Sequence, residues 1–146
     1  MSHFPTDLPT IESRIRAIDP VNYGATRNYK DGAVTRLSPY ISRGVISTKQ
    51  VFEYIKTLDL PWYQAEKLIQ ELAWRDYWQQ VWIAKGEEIN QDLKHPQTPI
   101  SNHQIPAAIV NAETGIEAVD LAIKQLYETG YMHNHMRMYI ASICCN

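Results

Sequence analysis

Apolar residues recur along this chain at helical spacing, and punctuation residues divide them into segments. Ile11, Ile15 and Ile18 mark one face of a first helix that Thr10 can cap and that stops before Pro20. Residues 21 to 34 carry Asn22, Gly24, Asn28, Asp31 and Gly32 and predict a loop. Ser38-Pro39 predicts an N-cap followed by proline at the first helical position, in a short helix ending at Gly44. Ser47 caps a helix through Val51, Tyr54, Ile55 and Leu58. Pro61 opens the longest helix, Trp62 to Ala84, with Gly86 as its stop. From Glu87 to Ala112, Pro96, Pro99 and Pro106 interrupt the pattern and predict an irregular crossing with one short turn. Thr114-Gly115 precedes a helix carrying Val119, Ile123, Leu126 and Tyr127 and ending at Gly130; a last helix starts near His133 and is still running at Asn146. No period-two strand and no βαβ alternation interrupts this series, so the fold class is all-α, in one domain over residues 1–146.

Composition narrows the classes. At 146 residues and 45% hydrophobic, the chain can bury a core and is not a disordered segment. A net charge of −2, from 14 basic and 16 acidic residues, does not by itself point to a nucleic-acid partner, although a local basic rim can serve within a neutral total. The two cysteines, Cys144 and Cys145, are adjacent, which suits neither a mutual disulfide nor zinc. No metal site is expected. The N-terminus lacks a secretory h-region and no apolar run approaches membrane-spanning length, so the expectation is a cytoplasmic protein without membrane contact.

Three segments carry candidate chemistry, each with two readings. The helix from Trp62 to Ala84 is apolar nearly all round, which predicts burial in a protein interior. Yet Glu71, Arg75, Trp78 and Trp82 share a stripe on it, with Trp74 alongside. The stripe is either a Glu71–Arg75 pair beside core tryptophans, or a pocket wall whose indoles stack on a flat ligand while the charges fix its polar edge. Residues 35–40, Thr-Arg-Leu-Ser-Pro-Tyr, form either an ordinary Ser-Pro helix start or a phosphate cradle of Thr35, Ser38 and Arg36. Residues 130–138, Gly-Tyr-Met-His-Asn-His-Met-Arg-Met, place His133 and His135 too divergently for a metal pair, whereas Asn134 and Arg137 share a helix face.

Taken together these segments resemble the photolyase/cryptochrome family. Thr35–Ser47 is similar to its phosphate-binding segment and Glu71–Tyr77 to its helix lining flavin and substrate. Thr114–Asp120 followed by Gly130–Met138 is similar to its paired-helix signature, and the order and spacing agree from Tyr23 onward. The resemblance implies the helical FAD-binding domain of that family, with FAD as cofactor. It implies cofactor contacts from Tyr23 and Arg27, from Thr35, Leu37 and Ser38 at the phosphates, from Glu71 and Arg75, and from Asn134 and Arg137. It also implies that Glu71, Trp74 and Met138 meet the substrate, a cyclobutane pyrimidine dimer in damaged DNA, with Trp74 stacking on the lesion. The activity implied is light-driven lyase repair; the alternatives are a non-repairing light or redox sensor and a cofactor-free helical interaction module.

The departures are specific. Val34-Thr35 stands where the family has two consecutive hydroxyls, and His135 where it usually has a basic residue. The family's N-terminal antenna domain has no counterpart, so the expectation is a stand-alone flavin domain, the alternative being a partner chain that supplies the antenna. The expectation is a partial copy of the domain that ends before the segment contacting the isoalloxazine and before the inner relay tryptophans.

Overall fold

Asp7, rather than Thr10, opens the first helix. Its carboxylate accepts the Thr10 amide at 2.9 Å and caps α1, Leu8–Arg16. A computed structural model describes residues 4–92 and 94–145, and every described element is helical. After α1 come α2 (Pro20–Thr26), α3 (Ser38–Ser42), α4 (Thr48–Thr57) and α5 (Trp62–Lys85). A 3₁₀ turn over Gly86–Asn90 follows, then α6 (Ala107–Val110), α7 (Glu117–Thr129) and α8 (Asn134–Cys145).

Two expectations about local structure are corrected. The segment read as a loop holds α2, because Asp19 accepts the Asn22 amide at 3.0 Å and Pro20 supplies a preset φ in the first turn. At the third helix the N-cap is Leu37, which offers no side-chain acceptor, and Ser38 is the first helical residue.

The chain divides into two compact units, one over Pro5–Pro96, the other over residues 97–145 together with Phe4. In the first, α1 packs on α4, and α2 and α4 pack on α5. Its core is Ile11, Ile15 and Ile18 with Leu37, Tyr40, Ile46, Val51, Ile55, Ala65 and Leu68. Each buried aliphatic side chain stabilises by about 1.5–3 kcal/mol, as an upper bound. Two tyrosine hydroxyls tie the segments together: Tyr40 donates to the Pro5 carbonyl at 2.9 Å and Tyr54 to the Arg16 carbonyl at 2.7 Å.

In the second unit, Ile109, Ala112, Val119, Ala122, Ile123 and Met132 form the core, with Leu126, Met136 and Ile140 against it. Asp120 anchors the turn before α7 by accepting from the Thr114 amide at 2.8 Å, its hydroxyl at 2.7 Å and the Gly115 amide at 3.2 Å. These bonds, the Thr114 hydroxyl foremost, hold the Asp120 carboxyl below the usual carboxylate range. Phe4 lies beside Tyr131, with ring centroids 5.1 Å apart.

Candidate flavin site

The expected phosphate segment lies in the first unit at the entry to α3. Leu37 is almost fully buried, at 1% exposure, and pins the segment to the core. Its amide donates to Thr35 Oγ1 over a long 3.4 Å. Between them Arg36 takes a positive φ of 53°, a conformation that costs a non-glycine residue about 1–2 kcal/mol. Ser38 is exposed and Thr35 half-buried. Thr35 also lines a shallow depression of about 270 Å³ with Arg14, Ile18, Asp19 and Val34. Because α3 has only five residues, its dipole is short, and polar contacts here come from side chains and individual amides.

Tyr23 and Arg27 sit on α2 and at its C-cap, both half-buried. Arg27 donates to the Gly24 carbonyl at 2.7 Å, which folds its guanidinium back over the helix end.

On α5 the expectation of burial all round is corrected. Its buried residues are Ala65 and Leu68, whereas Trp74 and Trp78 are 53% exposed and Trp82 64%. Apolar content states what a helix can bury; its neighbours decide what it does bury, and here α2 and α4 are the helices that pack closely on it. The exposed rings are ordered among themselves. Tyr77 stands edge-on to Trp74, with centroids 5.5 Å apart, and to Trp78 at 5.4 Å.

The Glu71–Arg75 pair does not form among the described residues. Glu71 is exposed, and Arg75 turns to α3 instead, where Nη2 donates to Ser42 Oγ at 2.6 Å. One residue on, Asp76 accepts from the Thr48 hydroxyl at 3.0 and 3.1 Å. The Arg75 Nε is buried and has no hydrogen-bond partner among the described residues. A buried cationic N–H without an acceptor is costly, which fits a site that receives an acceptor from a ligand.

In the second unit Asn134 is the first residue of α8 and is exposed, as are Arg137 and Met138. Arg137 Nε donates to the Met132 carbonyl at 3.2 Å, so its guanidinium rests on the start of the helix. His133 Nδ1 accepts the His135 amide at 3.2 Å, and the His135 ring stands 5.7 Å from that of Tyr139.

Sequence reasoning thus named residues that the structure places at α3 and α5, and it missed Ser42, which joins them. Ser42 lies four residues after Ser38, and its hydroxyl donates to the Ser38 carbonyl at 2.8 Å. The i,i+4 serine pair was visible in the sequence; the partner on α5 was not.

Comparison with known proteins names the class. Residues 68–146, just over half the chain, match the family described as the FAD binding domain of DNA photolyase. The chain is 32% identical over 130 residues to a deoxyribodipyrimidine photo-lyase of Alkalihalophilus pseudofirmus, covering 82% of this chain and 26% of that protein. It is 31% identical over 133 residues to a cryptochrome DASH of Danio rerio, covering 82% and 25%. Among solved structures it superposes on a Synechocystis cryptochrome with a TM-score of 0.84 at 24% identity, covering 98% of this chain and 32% of that one. A class III photolyase from Agrobacterium tumefaciens gives a TM-score of 0.74 at 22% identity, with 93% and 29% covered.

The chain therefore belongs to the FAD-binding domain family of DNA photolyase. It is an all-helical flavoprotein domain of the photolyase/cryptochrome type, FAD is its cofactor, and it spans about a quarter of the length of the curated relatives it matches. The residues present fit that cofactor: Arg75 Nε is a buried donor without a hydrogen-bond partner among the described residues, and α5 carries an exposed aromatic face. Among the described residues no helix is long and apolar enough to cross a membrane, and no group of three or more His, Cys, Asp or Glu is placed to hold a metal ion.

Proposed function

We propose that the protein carrying this chain binds FAD and repairs pyrimidine dimers in DNA in a light-dependent reaction. When bound and reduced, FAD supplies a light-driven electron donor; the protein's part is binding and orientation. Thr35, Leu37 and Ser38 hold the cofactor's phosphates, Tyr23 and Arg27 add cofactor contacts, and Arg75 donates to the flavin dinucleotide. Asn134 and Arg137 are further cofactor contacts. A dimer flipped out of the duplex stacks on Trp74, accepts a hydrogen bond from Glu71 and meets Met138.

The observation that carries the reading is Trp74. An indole 53% exposed, braced edge-on by Tyr77 and next in sequence to the half-buried Arg75, is a ready stacking platform beside a cofactor donor. The test is Trp74→Ala at the protein's natural length. Flavin absorbance after desalting stays at the wild-type level, while affinity for dimer-containing DNA falls roughly 5- to 150-fold, the worth of one stacked base. Equal loss of flavin and lesion binding would remove Trp74 from the substrate role. A flavin-loaded wild type with no preference for dimer-containing DNA would favour the non-repairing sensor.

A further inference from the structure

Nothing in the family match or in the sequence segments assigns a role to Ser42, yet its hydroxyl is the polar joint between α3 and α5. A serine hydroxyl has one proton to give and lone pairs to receive. Here the proton goes to the Ser38 carbonyl at 2.8 Å and a lone pair takes Arg75 Nη2 at 2.6 Å. Both bonds are short, one using the hydroxyl's proton and the other a lone pair. A guanidinium is a rigid planar fork, so fastening one terminal nitrogen restricts where the remaining donors point. Among the donors left over, Nε is buried and without a partner among the described residues.

We propose that Ser42 is a positioning residue for the cofactor: it fastens the Arg75 guanidinium to the phosphate-binding segment so that the other donors of that fork are presented to FAD. The proposal rests on the reading that Arg75 contacts FAD. The same hydroxyl couples the two cofactor-holding elements, since it grips the backbone of Ser38 and the side chain of Arg75 at once. The neighbouring link between Thr48 and Asp76 joins α4 to α5 and involves no assigned cofactor residue, which makes it a built-in control.

The experiment is an FAD titration, followed by flavin fluorescence, of the protein at its natural length and of five variants: Ser42→Ala, Ser42→Thr, Arg75→Ala, the double Ser42→Ala/Arg75→Ala, and Thr48→Ala. Ser42→Ala weakens FAD by about tenfold, the size of one hydrogen bond to a charged group. Ser42→Thr, which keeps the hydroxyl, restores the affinity. In the Arg75→Ala background the loss of Ser42 adds nothing, because the fork it holds is gone. Thr48→Ala leaves FAD affinity unchanged. Wild-type affinity in Ser42→Ala, or a full additional loss in the double variant, would overturn the positioning role while leaving Arg75 as a cofactor residue. Wild-type affinity in Arg75→Ala would instead overturn the flavin assignment beneath it.

Discussion

Arg36 shows how a single backbone angle can shape the phosphate segment. Its φ of 53° sits between Thr35, whose hydroxyl receives the Leu37 amide, and Leu37 itself, locked in the core. A left-handed residue persists only where its neighbours over-determine it, and the buried Leu37 does that here. Arg36→Gly and Arg36→Val both remove the guanidinium and its interactions, so their difference reports chiefly on tolerance of the backbone angle. Arg36→Val should be less stable in urea unfolding by about 1 kcal/mol, because a β-branched residue tolerates positive φ poorly whereas glycine does so freely. Equal stabilities would show that the angle carries no strain. Nothing in the string Thr-Arg-Leu-Ser announces this conformation, since arginine is not a residue that signals a left-handed turn. Likewise the partner of Arg75 could not be read from spacing: Glu71 stands in the favourable i,i+4 relation to it, and the guanidinium nonetheless reaches Ser42.

At the scale of helices, capping chemistry was legible at α4 and missed at α1 and α2, where Asp7 and Asp19 are the caps. Ser47 and Gln50 close a reciprocal capping box on α4: the Ser47 hydroxyl receives the Gln50 amide at 3.1 Å, and the Gln50 carbonyl oxygen receives the Ser47 amide at 2.7 Å. Ser47→Ala should lower stability by about 1 kcal/mol in denaturant unfolding, with Ser47→Asp recovering much of it. No change on Ser47→Ala would mean water replaces the cap at no cost. Gly86 and Gly130 end α5 and α7 as their positive φ values of 52° and 71° require. The element that escaped was α2, because Asn22 and Gly24 weigh against a helix locally while Asp19, Pro20 and packing on α5 weigh for it. The degree of burial of α5 escaped as well, because a sequence shows what a face could bury and not which neighbours are present.

Across the whole chain, acid should act on both units through the same chemistry. Asp7 is held below the ordinary carboxylate value chiefly by its bond with Thr10, Asp19 by the Asn22 amide and Asp120 by the Thr114 hydroxyl. A folded-state pKa below the unfolded one contributes stability that is complete above the unfolded value and is lost as pH falls through the folded value. The urea midpoint should therefore decline as pH drops below about 4. A triple Asp→Asn variant at residues 7, 19 and 120 should show a flatter profile over that window; an unchanged slope would place the acid sensitivity elsewhere. The sequence by itself determined the all-helical class, most helix limits and the family, because helical periodicity, caps and motif spacing are local properties written into short strings. Only the tertiary structure decided the division into two compact units, the exposure of the α5 indoles and the fastening of Arg75 to Ser42. Those depend on which residues distant in sequence come within a few ångströms of each other, and periodicity along one chain carries no information about that.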